Sequence, residues 1–172
     1  MDKISLRKVF FLFSIMAATT NSFSQSYSYA DSIRKLESLS NDSAYSDFAG
    51  KISKQYLSEG KFEEALSFLN KQIAMQQYGS ARHQKLLVWL CNCYYQKKEY
   101  NQSIAACDSV LALDFTFTPD VLIKLNRLKG QNYFRQENFA DAIVFYKEVF
   151  ALTEKYNDST QMDDVLAGIG TC

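Results

Sequence analysis

The chain has one proline, one histidine, one tryptophan and only six glycines in 172 residues. So few turn formers and helix breakers argue against a domain of many short strands and tight loops, and favour long helices joined by short turns. A lone His83 rules out an ordinary histidine-rich metal site, and beside Arg82 and Lys85 at a helix start it reads as a surface residue. Four cysteines, Cys91, Cys93, Cys107 and Cys172, are too few to define a disulfide fold at this length. Charge of one sign is also missing: 19 basic and 19 acidic side chains cancel, so there is no strongly basic field to hold nucleic acid.

The groups that chemistry needs are equally scarce. No glycine-rich phosphate loop, Gly-x-Ser-x-Gly elbow or His-Glu-x-x-His is present. Glu63 and Glu64, and Asp163 and Asp164, are adjacent carboxylates, but neighbouring helical positions point in different directions. They read as solvated charge near helix starts. The sequence therefore leads us to expect no enzyme, no catalytic residue, no cofactor and no metal.

What is present starts with a distinct front. Lys3, Arg7 and Lys8 precede an apolar run from Val9 to Ala18, and Ser22, Phe23 and Ser24 offer small residues two apart before Gln25. This is the three-part arrangement of a secretory signal peptide, with cleavage expected after Ser24. An uncleaved anchor fits less well, because crossing a bilayer core takes roughly 20 apolar residues. Losing residues 1–24 removes Asp2, Lys3, Arg7 and Lys8 and leaves 16 basic and 18 acidic side chains. The segment resembles leaders of exported Bacteroidetes proteins, and no lipidation cysteine lies near the junction. The expected location is exported, in the periplasm first, with secreted or surface-associated as alternatives.

The remainder repeats itself. Three registers align: Tyr56 to Ile73, Tyr94 to Leu111 and Tyr133 to Phe150, with leading tyrosines 38 and 39 residues apart. Each has a second aromatic six residues on (Phe62, Tyr100, Phe139) and a small residue three later (Ala65, Ser103, Ala142). A unit of this length is a stacked pair of helices whose neighbours bury each other's apolar faces. Helices are predicted over 45–58, 62–76, 81–97, 101–113, 119–136 and 139–156. The turns fall at residues 59–61, 97–99 and 136–138, and only the first contains glycine, Gly60. Thr118 and Pro119 suit a helix start, as a cap and a first-turn proline.

These residues resemble the tetratricopeptide repeat family. The middle unit supplies Leu87, Leu90, Cys91, Tyr94, Ser103, Cys107 and Val110 in the family's packing roles. The first supplies Ala49, Ile52, Ser53, Tyr56, Ala65, Leu69 and Gln72. The third supplies Gly130, Tyr133, Ala142, Tyr146 and Val149, with Lys129 where a leucine is expected and Leu125 and Leu128 available to compensate. The resemblance implies an all-α fold: a short right-handed superhelical array of antiparallel helix pairs, preceded by the signal peptide. Residues 25–44 would form a cap or linker with a short helix using Ile33, Leu36 and Leu39. Residues 45–160 would form three units. Residues 161–172 would open a fourth, with Leu166, Ile169 and Gly170 in the packing roles, or would form a terminal cap. The chain stops where the fourth tyrosine is due, so it reads as the front of a longer array or of a larger regulatory protein, unless a partner or a folded-back cap covers the end.

The resemblance also implies a function. Members of the family place ligand-contacting side chains at set positions on the first helix of each pair, here Asp47, Gly50, Lys54, Leu57 and Ser58; Lys85, Val88, Asn92, Tyr95 and Gln96; and Lys124, Arg127, Gln131, Phe134 and Arg135. The expected function is a non-enzymatic protein- or peptide-binding scaffold, with a structural assembly module or sensory segment as the alternative. Expected peptide contacts are Lys54, Lys85, Asn92, Tyr95, Gln96, Lys124, Arg127, Gln131, Phe134 and Arg135. The amides would satisfy a peptide backbone, the rings would cover an apolar side chain, and the cations would favour acidic groups. The family's carboxylate-clamp pattern is incomplete, which disfavours recognition of chaperone tails. No nucleic acid and no stable membrane span enter this picture. Cys91 and Cys107 would face one helix seam, where export permits a disulfide between them.

Overall fold

A computed structural model describes residues 29–157 together with 166, 168 and 170. The expected signal peptide, residues 25–28 of the expected cap, and residues 158–172 apart from 166, 168 and 170 lie outside the described residues. The described residues form seven helices and no strand. They fall into two compact units, residues 1–40 and 41–172. The first contains α1 over residues 29–37, whose Arg34 pairs with Asp31 one turn earlier at 3.5 Å. Leu36 is buried, and Ile33 and Leu39 are half-buried.

The second unit holds α2 (Asp42–Ser58), α3 (Phe62–Ala74), α4 (Ala81–Gln96), α5 (Tyr100–Leu111), α6 (Pro119–Arg135) and α7 (Phe139–Tyr156). These agree with the predicted helices to within three residues at either end. The first start is earlier because Asn41 caps α2, its side chain accepting from the Ala44 N–H at 2.9 Å. Ser80 caps α4 in the same way through the His83 N–H. Thr118 does not cap α6 through its hydroxyl. Pro119 begins that helix without a donor to satisfy, and the Thr118 N–H donates instead to Gln84 Oε1 at 2.9 Å.

Helices α2 and α3, α4 and α5, and α6 and α7 form antiparallel pairs, and the first helices also pack on one another, α2 on α4 and α4 on α6. The small and apolar register positions go where the repeat puts them. Ala49, Ser53, Ala65, Leu69, Cys91, Ser103, Cys107, Ala142 and Val149 are all fully buried. Serine stands in the middle unit where its neighbours have alanine because its hydroxyl has work there. Ser103 Oγ donates to the Cys91 carbonyl at 3.1 Å and accepts from Asn132 Nδ2 at 2.9 Å, tying α4, α5 and α6 together inside the core. Gln84 does the same for the loops. Its buried amide donates to the carbonyls of Gly79 and Thr116 and accepts from Thr118, joining the α3–α4 and α5–α6 connections.

Lys129 needs no compensating rotation of its helix. Its ammonium meets Asp108 at 2.6 Å and lies 4.1 Å from the Phe145 ring centroid, so the stem fills the leucine position while the charge reaches the surface. The leading tyrosines share an aromatic environment with one substitution. Tyr56 packs on Phe68 and Tyr133 on Phe145, twelve positions later in each case. The middle unit has Ala106 there, and Tyr94 turns to Phe62 of the preceding unit at 5.8 Å. At the far end residues 166, 168 and 170 are helical. A Cβ at Gly168 would lie 2.8 Å from the Tyr146 ring, while nothing lies within 4 Å of one at Gly170. The packing register there is therefore two residues ahead of the predicted one, and Ile169 lies outside the described residues.

All three intra-pair turns use one design. The carbonyl of the leading tyrosine accepts from the residue five later: Lys61 to Tyr56 at 2.9 Å, Glu99 to Tyr94 at 3.0 Å and Asn138 to Tyr133 at 3.0 Å. Gly60, Lys98 and Glu137, the residues just before these donors, take left-handed φ values of 73°, 67° and 60°. This is the Schellman arrangement, which glycine fits without strain and other residues enter at a cost of about 1–2 kcal/mol. Lys98→Gly and Glu137→Gly should each raise stability by about 0.5–1 kcal/mol, the gain in strain less the entropy glycine adds to the unfolded chain. Gly60→Ala, with open space around it, should lower it by a similar amount. Urea midpoints measure all three, and unchanged midpoints would contradict the shared turn.

His83 is not on the surface. It is 6% exposed, in an aromatic cluster with Tyr78 at 5.4 Å and Phe115 at 5.8 Å, and burial lowers its pKa from 6.5. Below that value the unfolded chain takes up a proton that the folded imidazole resists, so this residue's contribution to stability falls as pH drops from 7 to 5. His83→Phe should flatten that part of the unfolding-stability profile; parallel profiles for the two proteins would refute the assignment.

Candidate functional site

Because α2, α4 and α6 pack side by side, their outward positions form one continuous face. A cavity of about 120 Å³ opens on it, lined by Asp47, Lys85, Val88, Trp89, Asn92, Lys124, Arg127, Leu128 and Gln131. Five of the ten expected peptide contacts line it: Lys85, Asn92, Lys124, Arg127 and Gln131. Asp47 and Val88, from the wider set of face positions, join them. The others lie elsewhere. Lys54 stands over the edge, its ammonium 5.1 Å from the Trp89 ring centroid. Gln96 is exposed and donates weakly to Asn92 Oδ1 at 3.4 Å. Tyr95 accepts from Arg135 Nε at 3.3 Å and packs near Tyr100. Phe134 is held against Phe139 at 5.5 Å and packs on the α6–α7 core.

Trp89 and Leu128 were not among the expected contacts. Both stand five residues before their leading tyrosine, one position past the Val88 and Arg127 positions. The signal that identifies Trp89 is Gly50 on α2. A Cβ there would fall 2.0 Å from Trp89 Cε2, so the bare backbone of α2 is what lets the indole lie flat beside the cavity. Leu128 belongs to the central core as well as to the wall, which makes the cavity floor an exposed edge of the α4–α6 packing.

The wall carries three cations, Lys85, Lys124 and Arg127, against one carboxylate, and all three are engaged within the chain. Lys124 pairs with Asp120 one turn earlier at 2.9 Å, and Lys85 Nζ donates to Ser43 Oγ at 3.1 Å. The face is thus positive and hydrogen-bonding around an apolar floor. It holds no arrangement of base, nucleophile and orienting group, and no group of three or more metal-ligating side chains occurs among the described residues.

Cys91, Cys93 and Cys107 are buried in the helices that carry and back this face. Cys91 and Cys107 meet across the α4–α5 seam, but as free buried thiols, not as the expected disulfide. A hydrogen bond with Cys107, together with burial, pushes the Cys91 thiol well up. Burial pushes Cys93 up to about 11. Thiols held protonated in this way are packing groups, not nucleophiles.

The fold is an array of repeated helix pairs. Residues 56–128 match the family model of the tetratricopeptide repeat. Among solved structures it is similar to the first such domain of the human RPAP3 protein, determined by NMR. That likeness has 18% identity and a TM-score of 0.46, and covers 73% of this chain and 95% of that one. No curated protein matches. No helix among the described residues is long and apolar enough to cross a membrane.

Gly50→Ala tests how the cavity is built. The new methyl must push Trp89 out of place, costing about 1–3 kcal/mol, and should shift the emission of the chain's single tryptophan. An unaltered spectrum and an unaltered melting temperature would show that the indole does not rest on the α2 backbone.

Proposed function

We propose that the chain is a protein- or peptide-binding scaffold that uses the α2–α4–α6 face, and that it performs no catalysis of its own. The observation that carries this reading is the cavity on that face, where Lys85, Asn92, Lys124, Arg127 and Gln131 surround an apolar floor. At about 120 Å³ it is well below the roughly 300 Å³ at which small-molecule sites begin. It suits one protruding side chain of a larger ligand that lies along the face. Asn92 and Gln131 carry both donors and acceptors for a peptide backbone, and the surrounding cations favour a partner with acidic groups. The leader-like residues 1–24 support an exported, periplasmic setting for this binding.

Selection from a displayed peptide library tests the proposal. The purified chain should enrich a restricted set of peptides. Lys124→Gln combined with Arg127→Gln and Gln131→Ala should lose that enrichment by at least about tenfold, worth 1.4 kcal/mol, with an unchanged melting temperature. Enrichment that survives these changes but disappears after Ser67→Arg and Lys147→Glu on the second helices would overturn the proposed face.

A further inference from the structure

The same cavity says more about the ligand than its size. Val88, Trp89 and Leu128 supply its apolar lining, Lys85, Asn92, Lys124, Arg127 and Gln131 its amides and cations, and Asp47 its one carboxylate. A dry apolar cavity of about 150 Å³ accepts a benzene ring; this one, at about 120 Å³, takes a branched aliphatic side chain. The bare backbone at Gly50 gives the indole room to lie against α2, and the Lys54 ammonium stands 5.1 Å from its ring centroid, so the aromatic side of the cavity is packed before any ligand arrives. Arg127 and Lys124 stand on the α6 side of the opening and Lys85 on the α4 side, so charge lies to either side of the apolar floor.

We infer that the cavity is a socket for one aliphatic side chain flanked by carboxylates, making the ligand an acidic linear segment with a leucine-sized anchor. This rests on the binding role proposed above. A buried aliphatic anchor adds affinity through the area it removes from water, while the flanking carboxylates meet Lys85, Lys124 and Arg127 at a partly screened surface. The two contributions are separable: the first depends on Trp89 and is insensitive to salt, and the second depends on the cations and weakens as salt rises.

The single tryptophan reports the socket directly. The purified chain is titrated with a blocked heptapeptide carrying one leucine between acidic residues, with the same peptide bearing glycine for leucine, and with one bearing amides for the acids. The first peptide should shift Trp89 emission and bind at least about tenfold more tightly than the glycine control, as expected for burial of a leucine-sized side chain, and more tightly than the amide control at low salt through its carboxylates. Raising salt from 50 to 500 mM should weaken it and leave the amide peptide unaffected. Gly50→Ala, which crowds the socket, should abolish the advantage of leucine over glycine while keeping the salt dependence.

Equal binding of the leucine and glycine peptides would overturn the socket, and equal binding of the acidic and amide peptides would overturn the charge preference. In either case the general binding role would stand, provided library selection still depends on the α2–α4–α6 face. Failure of all three peptides to bind would overturn the inferred ligand class, whereas failure of the selection experiment would remove the binding role itself.

Discussion

The array depends on how closely α4 and α5 approach, because α2 and α3 pack on that pair from one side and α6 from the other. Cys91 and Ser103 are small enough to let the helices touch, and the Ser103 hydroxyl closes the gap by donating to the Cys91 carbonyl. Asn132 then reaches the same hydroxyl from α6, so a single buried oxygen sets the spacing of three helices. A larger residue at either small position would separate the pair and open the faces that bury Leu87, Val110, Val121 and Leu125. In a stack of this kind each unit contacts only its neighbours, so a fault in the middle pair is shared by both ends.

The binding face is a by-product of that spacing. Once α2, α4 and α6 lie side by side, the positions not needed for packing line up. The depth of the cavity is set by two residues that do not contact a ligand through charge. Gly50 supplies an absence of side chain, and Trp89 fills part of the space with a rigid ring. The polar rim differs in kind: Lys85 and Lys124 are already held by Ser43 and Asp120. Their positions are therefore partly fixed, which reduces the side-chain entropy lost when a partner binds.

Much of this was legible because the repeat constrains it. Three aligned registers placed Ala65, Ser103 and Ala142 in the core and located the turns, since packing positions in a stacked array recur with the unit. The left-handed turn conformation at Lys98 and Glu137 was harder to read, because neither residue advertises it; it follows from their alignment with Gly60. The face was only partly legible. Lys85, Asn92, Lys124, Arg127 and Gln131 came from register alone. Tyr95 and Phe134 share that register, but neighbouring rings draw them into contacts at the turn end of the array. Trp89 was missed because its role depends on Gly50 in another unit, a contact between helices that no spacing within one helix encodes. His83 was misread for a similar reason: Phe115, the ring that buries it, comes from a loop more than thirty residues later.

Hydrogen–deuterium exchange with a bound partner peptide tests the account most directly. Backbone protection should increase in the segments around Asp47 to Lys54, Lys85 to Asn92 and Lys124 to Gln131, and stay unchanged in α3, α5 and α7. Protection concentrated on those second helices, with the first helices unaltered, would contradict it.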